Sequence, residues 1–261
     1  SIDFNGSSAQ NIPLFTFNNV TFSGSGTKTL NVGAITVNGD LTISSGTTLN
    51  ANGKGITVNG NWSQTGGTFT PGTNKVTFGG SAAQSVSAAT FYDLELNNAA
   101  GLSLSGDVTV THTLTLTDGL VTTDANNIKL GVSGSVSGAS SASYVKGNLI
   151  RRVPAGTSSL AYPVGTATGY TPVSIDFSGV DAADDVKIYS TNGVSANYPS
   201  ILNATKKLAR SWTVISSGGL GTFSADVTAT YLAGDLSGGA ASGSLKVYKY
   251  DAGPAYVYPA T

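Results

Sequence analysis

The feature that most constrains this chain is an internal duplication with a period of about 73 residues, and a chain that repeats itself in this way folds as supersecondary units that stack on one another. Residues 2–10 (IDFNGSSAQ) are similar to residues 76–84 (VTFGGSAAQ), and apolar residues such as Phe17 and Phe91 keep nearly the same separation further along. The separation shortens slightly towards the end of the second copy, which two single-residue deletions explain.

A shorter period runs inside the copies. Residues 34–40 (AITVNGD) recur as residues 55–61 (GITVNGN). Apolar residues alternate with threonine, which predicts that Ile35 and Val37 point inward and Thr36 outward. The Asn-Gly pairs supply the positive φ angles that tight corners need. Short coils that bury their apolar side chains against their neighbours form a parallel β-solenoid.

The expected fold class is therefore all-β, with a right-handed parallel β-solenoid of seven or so coils. An antiparallel sandwich built from Asn-Gly hairpins is the alternative. It is less favoured, because a sandwich needs no short recurrence of this kind in register.

Composition excludes several classes of function. The chain has 13 Lys and Arg against 14 Asp and Glu, a net charge of -1 that offers little attraction to nucleic acid or an anionic membrane. It has no Cys, one His and a single glutamate, Glu95, so we expect neither thiolate metal sites nor a Ser-His-Asp triad nor paired-glutamate catalysis. No apolar stretch is long enough to span a membrane. The chain is expected to be no enzyme and to hold no cofactor.

Composition changes near Ser143, which predicts a domain boundary. Every arginine and all tyrosines except Tyr92 follow it. Alternating apolar segments then occur at irregular spacing between Gly/Ser loops, as in an antiparallel β-sandwich. We predict a solenoid over residues 1–143, with repeats at 2–75 and 76–143, followed by a β-sandwich domain over residues 144–261.

Several segments carry a resemblance to a group of known proteins. In the repeats these are residues 80–84 (GSAAQ), 90–98 (TFYDLELNN), 104–110 (LSGDVTV) and 114–119 (LTLTDG). In the second part they are residues 144–147 (YVKG), 162–165 (YPVG), 211–214 (SWTV) and 231–235 (YLAGD). On these segments the chain resembles the β-solenoid repeats and following β-sandwich module of large secreted surface proteins of Bacteroidetes-type bacteria, adhesins and type IX secretion cargo. The resemblance implies a secreted, cell-surface or extracellular location and a stalk or adhesin role.

Four tyrosines near the C terminus are candidate contacts for a ligand or partner. Tyr248 and Tyr250 share one face of their strand, as do Tyr256 and Tyr258 of theirs, because side chains alternate along a strand. Either pair would form an aromatic platform for a glycan. Packing of one pair in the core is the alternative.

Three further features could have a functional role, but each also has a purely structural explanation. Asp181, Asp184 and Asp185 are the only candidates for Ca²⁺, but they lack the alternating oxygen ligands of a Ca²⁺ loop, and a solvated turn is favoured. The threonines of residues 109–117 would form a row of hydroxyls, as an ice-binding surface requires, if their strand is unbroken; outward threonine is also common in ordinary strands. His112 has no carboxylate nearby in the sequence and is interpreted as a corner residue.

These observations predict a non-enzymatic structural protein, a stalk or filament subunit of a bacterial surface adhesin or fibre. A parallel solenoid leaves unpaired backbone edges at its ends, and no amphipathic cap precedes the first coil. We predict assembly with a second copy, head to tail, or with further repeats of a longer chain, through Ile2, Phe4, Ile12 and Leu14. The alternative is an adhesin module that binds surface glycans or, less favoured, ice. Neither nucleic-acid binding nor membrane insertion is expected.

Overall fold

The structure is a computed structural model that describes residues 1–194, 205–245, 249–250 and 256–257. The chain is all-β, with 58% of its residues in strands and 2% in helices, and it contains a parallel β-solenoid of about eight turns. The predicted all-β class and the β-solenoid are confirmed.

Short strands follow one another around each coil of the solenoid. The first four coils have three strands each: β1 (Ile2–Phe4), β2 (Gln10–Ile12), β3 (Thr16–Phe17), β4 (Val20–Phe22), β5 (Gly26–Leu30), β6 (Ile35–Val37), β7 (Leu41–Ser44), β8 (Thr47–Asn50), β9 (Ile56–Val58), β10 (Trp62–Thr65), β11 (Thr68–Thr70) and β12 (Lys75–Phe78). In later coils, strands merge across corners: β13 (Gln84–Val86), β14 (Ala89–Asn97), β15 (Leu102–Leu104), β16 (Val108–Asp118), β17 (Val121–Leu130), β18 (Ser135–Ser137) and β19 (Val145–Val153).

Equivalent strands of successive coils pair in parallel and form three rows. Row A contains β1, β4, β7, β10, β13 and β15, and row B contains β3, β6, β9, β12, the second halves of β14 and β16, and β18. Row C begins as the four-stranded sheet of β2, β5, β8 and β11. Val20, for example, pairs with Ile2 on one side and Leu41 on the other. Interior strands therefore satisfy their backbone N–H and C=O groups within the stack.

Side chains alternate in and out along each strand, as the sequence predicts. In β6 the side chains of Ile35 and Val37 are buried, whereas Thr36 between them faces outward. The inward side chains of all the coils form one continuous apolar core. Large rings fill part of this core: Trp62 packs edge-to-face on Phe69, with ring centroids 4.8 Å apart.

One corner of the solenoid is held by a ladder of side-chain hydrogen bonds. Oδ1 of Asn19 accepts the backbone N–H of Asp40, Oδ1 of Asp40 accepts that of Asn61, and Oδ1 of Asn61 accepts that of Ser85, each at 2.8 Å. Each side chain thus satisfies a corner N–H of the following coil.

The glycines of this corner are required for space. A Cβ on Gly60 would lie 2.3 Å from the backbone carbon of Gly39 in the preceding coil. Neither glycine has a positive φ, so the expectation that the Asn-Gly pairs supply positive φ is wrong at this corner. The close approach of consecutive coils explains the glycines instead.

Sequence-equivalent strands of the duplication lie in different rows. Residues 2–4 form β1 in row A, whereas the equivalent residues 76–78 lie in β12 in row B. The same shift takes β2 of row C to β13 of row A. Residues 2–75 thus contain eleven complete strands, three full coils and two strands of the next, and their core continues without a break into residues 76–143.

The remaining strands pair mainly in antiparallel fashion. They are β20 (Gly156–Tyr162), β21 (Val164–Thr166), β22 (Gly169–Tyr170), β23 (Val173–Val180), β24 (Asp184–Asn192), β25 (Arg210–Ser216), β26 (Ser224–Ala229), β27 (Lys249–Tyr250) and β28 (Tyr256–Val257), with 3-10 turns at Ala233–Asp235 and Ser242–Ser244. Two antiparallel sets result, β19–β24–β25 and β20–β23–β26.

The change from parallel to antiparallel pairing occurs within β19. Val145 and Leu149 still pair in parallel with β17, so the ladder runs past Ser143, where the composition changes. Leu149 to Val153 also pair in antiparallel fashion with β24. The division into two domains at residues 143 and 144 stays a prediction.

Truncation of one inward side chain tests the core. We expect Ile43→Ala to lower the free energy of unfolding by about 2–5 kcal/mol, because Ile43 is fully buried and the stacked coils cannot collapse into the space. Thr42→Ala, one position away on the outward side of β7, is the matched control and should change it by less than about 0.5 kcal/mol. Urea unfolding followed by circular dichroism measures both. Equal losses for the two variants would contradict the inward–outward assignment.

Candidate functional site

The first coil exposes large apolar side chains beside an unpaired strand. Among the described residues β1 pairs with β4 alone, so its other edge is open. Ile2 is 41% exposed, Leu14 58% and Phe15 55%, and Phe4 is half-buried. We name this surface, formed by β1 and these four side chains, the N-terminal edge. Exposed apolar side chains grouped in this way make the N-terminal edge a candidate contact surface.

Not all of the predicted assembly residues reach this surface. Ile2, Phe4 and Leu14 do, but Ile12 is 1% exposed and belongs to the core. The Ile12 side chain is therefore unable to contact a partner directly. Alternation along a strand predicts which side chains point inward, but it does not predict how far the first coil leaves each of them exposed. The sequence therefore did not distinguish Ile12 from the other three residues.

The outward side of row B carries a second group of polar and aromatic residues, formed by Lys75, Tyr92, Asp93, Glu95 and His112, which we name the row B cluster. Nδ1 of His112 lies 2.7 Å from Oδ1 of Asp93. The imidazole ring stacks on Tyr92, with centroids 4.6 Å apart and 13° between the planes. The sequence shows no carboxylate near His112 along the chain, but the fold supplies one. Asp93 is distant in sequence but lies one coil away.

A register irregularity positions His112. Phe91 pairs with Val110, but Asp93 pairs with Thr113, so β16 has one more residue than β14 between these pairs. The extra residue forms a β-bulge, which re-aims side chains locally. His112 therefore projects outward next to Asp93.

The row B cluster does not have the arrangement of a hydrolase triad. In such a triad the carboxylate binds Nδ1 and the nucleophile binds Nε2. Here Oγ1 of Thr113 lies 3.1 Å from Nδ1 of His112, the same nitrogen that faces Asp93. The hydroxyl and the carboxylate thus contact the same nitrogen, and these contacts hold the imidazole ring in place.

Glu95, the single glutamate, connects three successive coils. Its Oε2 accepts hydrogen bonds from Nζ of Lys75 at 2.6 Å and Oγ1 of Thr77 at 3.3 Å, and its Oε1 accepts one from Thr117 at 3.0 Å. The hydrogen bond from Lys75 outweighs partial burial and lowers the pKa of Glu95 below its ordinary value. A carboxylate held in this way is a poor general base.

The three aspartates considered for Ca²⁺ turn to different partners. Asp181 accepts the backbone N–H of Thr222, and Asp184 accepts that of Gly219. Asp185 binds the side chains of Lys129 and Arg152. The hydrogen bond from Gly219 lowers the pKa of Asp184. In the part of the chain that the structure describes, no three His, Cys, Asp or Glu side chains are grouped to hold a metal ion.

The predicted row of threonine hydroxyls is interrupted. Thr109 lies in the first half of β16, which pairs with the first half of β14, whereas Thr115 lies beyond the bulge in row B. Hydroxyls align instead across coils, where Thr36, Thr57 and Thr77 are register partners on the outward side of row B. This ladder has a spacing of about 4.8 Å between threonines.

Two of the four candidate tyrosines fall within the described residues. Tyr250 and Tyr256 oppose each other in the antiparallel pair of β27 and β28. Tyr248 and Tyr258 lie outside the described residues. The aromatic platform stays a prediction.

Comparison with known proteins returned no similarity: no family model, no curated protein and no solved structure matches the chain. None of the helices in the described residues is long and apolar enough to cross a membrane.

The Glu95 contacts predict a specific response to acid. Folding lowers the pKa of Glu95 below 4.5, so its stabilisation is present above that pH and is lost as pH falls through the lowered value. Glu95→Gln should lower the free energy of unfolding at pH 7 by about 0.5–1 kcal/mol, a value that allows for solvent screening. The difference from wild type should shrink as pH falls through this lowered pKa.

Urea unfolding between pH 3 and pH 7 measures this difference. Asp118→Asn removes a negative charge near the end of β16 and controls for net charge. A Glu95→Gln deficit that persists undiminished at pH 3 would show that the loss does not come from ionisation of this carboxyl group.

Proposed function

We propose that this protein is a non-enzymatic structural module, a rigid stalk segment of an extracellular bacterial surface adhesin or fibre. The observation that carries the proposal is the parallel ladder of about eight turns around one continuous core. In such a stack each coil contacts only its neighbours, so that extra coils add length without a new fold. A stalk needs this property.

The surface chemistry of the solenoid supports a structural role. Outward positions of row B are occupied by hydroxyl side chains such as Thr36, Thr57 and Thr77. The ionisable side chains of the row B cluster, Asp93 and Glu95 among them, bind residues of adjacent coils. Groups engaged in this way stabilise the stack and are not poised to react. The extracellular location is part of the proposal and depends on the sequence resemblance.

The two ends of the parallel ladder differ, which favours a stalk over a head-to-tail filament. At the N-terminal edge, the outer side of β1 is unpaired among the described residues. At the other end, β19 and β21 pair in antiparallel fashion with β24 and β22. Among the described residues, only β18 of row B, which pairs with β16 alone, keeps an open parallel edge there. A second copy therefore meets no complete free coil at this end.

We further propose that the strands beyond β19 form a β-sandwich, and that the solenoid is right-handed and arose as two copies of one repeat. Buried residues on β23 and β24 support the sandwich, since two sheets that face each other share one core. These residues are Val173, Ile175, Val186 and Ile188.

The glycan-binding alternative depends on the C-terminal tyrosines, and no contact among the described residues favours it.

Small-angle X-ray scattering tests the stalk. A compact chain of 261 residues has a radius of gyration of about 18 Å. About eight coils at about 4.8 Å span about 40 Å by themselves, and the antiparallel strands that continue from β19 at one end of this stack should make the value larger. We expect an elongated particle whose dimensions do not change with concentration, and rods in electron micrographs. A radius of gyration close to that of a compact chain would contradict the proposal.

The same concentration series separates a stalk segment from a filament subunit. Long fibres at high concentration would establish self-assembly. Deletion of residues 1–14, which removes Ile2, Phe4, Ile12 and Leu14, should then weaken the fibres if the N-terminal edge makes the contact. Unchanged fibres after the deletion would place the contact elsewhere.

A further inference from the structure

We propose that the N-terminal edge is built to receive a further solenoid coil, which runs parallel to β1 and presents backbone carbonyl groups to Gln10. The occupant has the sequence character of residues 55–75, which take the equivalent place before residue 76. The inference rests on the proposed stalk function, since a coil added here lengthens the stalk. Three features of the N-terminal edge support it: the side chain of Gln10, the glycine at position 6, and the apolar residues of β1.

Gln10 and Gln84 are equivalent residues of the duplication, and they make the same local contact. Oε1 of Gln10 accepts the backbone N–H of Gly6, and Oε1 of Gln84 accepts that of Gly80, at 3.1 Å in both cases. This bond orients both side-chain amides alike, so that Nε2 points in the equivalent direction. The environment of Gln84 therefore shows what Gln10 is arranged to meet.

The amide of Gln84 binds the coil that precedes it. Its Nε2 donates to the carbonyl oxygen of Val58 at 2.9 Å and to that of Gly60. Nε2 of Gln10 has no hydrogen-bond partner within the described part of the chain. A further coil would supply the two carbonyl oxygens that Gln84 receives from the end of β9 and the corner after it.

Gly6 points to the same occupant. Gly80 has to be glycine, because a Cβ there would lie 2.2 Å from the backbone oxygen of Asn59 in the preceding coil. The three atoms nearest to a Cβ on Gly6 all belong to the flexible side chain of Gln10. Neither glycine has a positive φ. A backbone that approaches from a preceding coil explains the glycine at position 6.

The apolar residues of β1 likewise lack a strand on the side where their equivalents in β12 have one. Val76 and Phe78, the equivalents of Ile2 and Phe4, pair in parallel with β9 and are fully buried. Ile2 is 41% exposed, and Phe4 is half-buried. A coil in the register of β9 would bury both and pair the open edge of β1.

A second copy of the chain is the less favoured occupant. Two N-terminal edges related by a two-fold axis would pair β1 with β1 in antiparallel fashion, which does not bring the carbonyls of a parallel coil to Gln10. The opposite end offers no free parallel coil at β19 or β21, since antiparallel strands cover them. A parallel coil of the same solenoid satisfies all three observations.

The test compares the parent chain with an extended chain in which residues 55–75 are placed directly before Ile2 in place of Ser1. Gln10→Glu and Gln84→Glu are made in both chains. Glutamate keeps the Oε1 acceptor for the glycine N–H but removes the amide donor and sets a carboxylate against carbonyl oxygens. The two substitutions are chemically identical, but the following coils differ, because Oε1 of Gln84 also accepts Nδ2 of Asn98 whereas Gln10 is the register partner of Lys28. Each substitution is therefore compared with itself between the parent and the extended chain.

In the parent chain we expect Gln84→Glu to lower the Tm by about 4 °C or more, and Gln10→Glu by no more than about 2 °C. In the extended chain both substitutions should lower it by similar amounts. Extension alone should raise the Tm and slow the amide exchange of β1. A same-length extension with asparagine in place of Ile56 and Val58 is the control and should do neither.

The proposal is overturned if Gln10→Glu stays without effect in the extended chain and the β1 amides exchange as fast as in the parent. It is also overturned if the parent doubles in mass by light scattering with its β1 amides protected, since the occupant is then a second copy. Should the extended chain fail to fold, a separate peptide of residues 55–75 is titrated into the parent, and unchanged amide signals of β1 count against the proposal.

The stalk function and the coil site fail in different ways. A compact particle in solution scattering would refute the stalk but leave the difference between the Gln10 and Gln84 variants intact. An elongated particle in which extension changes neither Tm nor exchange would refute the coil site and leave the stalk standing.

Discussion

The structure depends on one constraint, which is that the backbone of every coil must pair with the coils before and after it. The short strands have too few contacts of their own, so that stacking supplies both the hydrogen bonds and the apolar burial. Inward positions are therefore apolar in every coil, and outward positions are free to be small and polar. Only at the ends of the stack does this constraint leave backbone N–H and C=O groups without a strand partner.

The polar side chains of the solenoid follow from this constraint. Asp40 and Asn61 satisfy corner N–H groups of the next coil, Glu95 receives donors from the coils on both sides, and His112 stands against a carboxylate one coil away. These residues look isolated in the sequence because their partners are a whole coil distant along the chain. Their hydrogen bonds hold adjacent coils together, which supports the proposed structural function.

The two ends of the stack give the molecule a direction. At one end the parallel ladder passes into antiparallel strands through β19, and the edges of that strand and β21 are covered. At the other end, β1 keeps an open edge, exposed apolar side chains and a glutamine amide without a partner among the described residues. Two of the three rows are covered at the first end, where only β18 of row B keeps an open edge, whereas the N-terminal edge is open. This difference between the ends suits an element that extends a longer structure in one direction, as the proposed stalk and the proposed coil site both require.

The sequence by itself determined the all-β class, the solenoid and the inward positions of residues such as Ile35 and Val37, because alternation and the shorter recurrence operate within single strands and coils. Only the tertiary structure decided that Asp93 meets His112, that Ile12 is buried, that Gly60 is needed for space, and that equivalent strands of the duplication occupy different rows. These outcomes depend on how many residues each coil contains. The bulge in β16 changes that number by one. A sequence pattern does not reveal which residues face each other across coils until the stack is assembled.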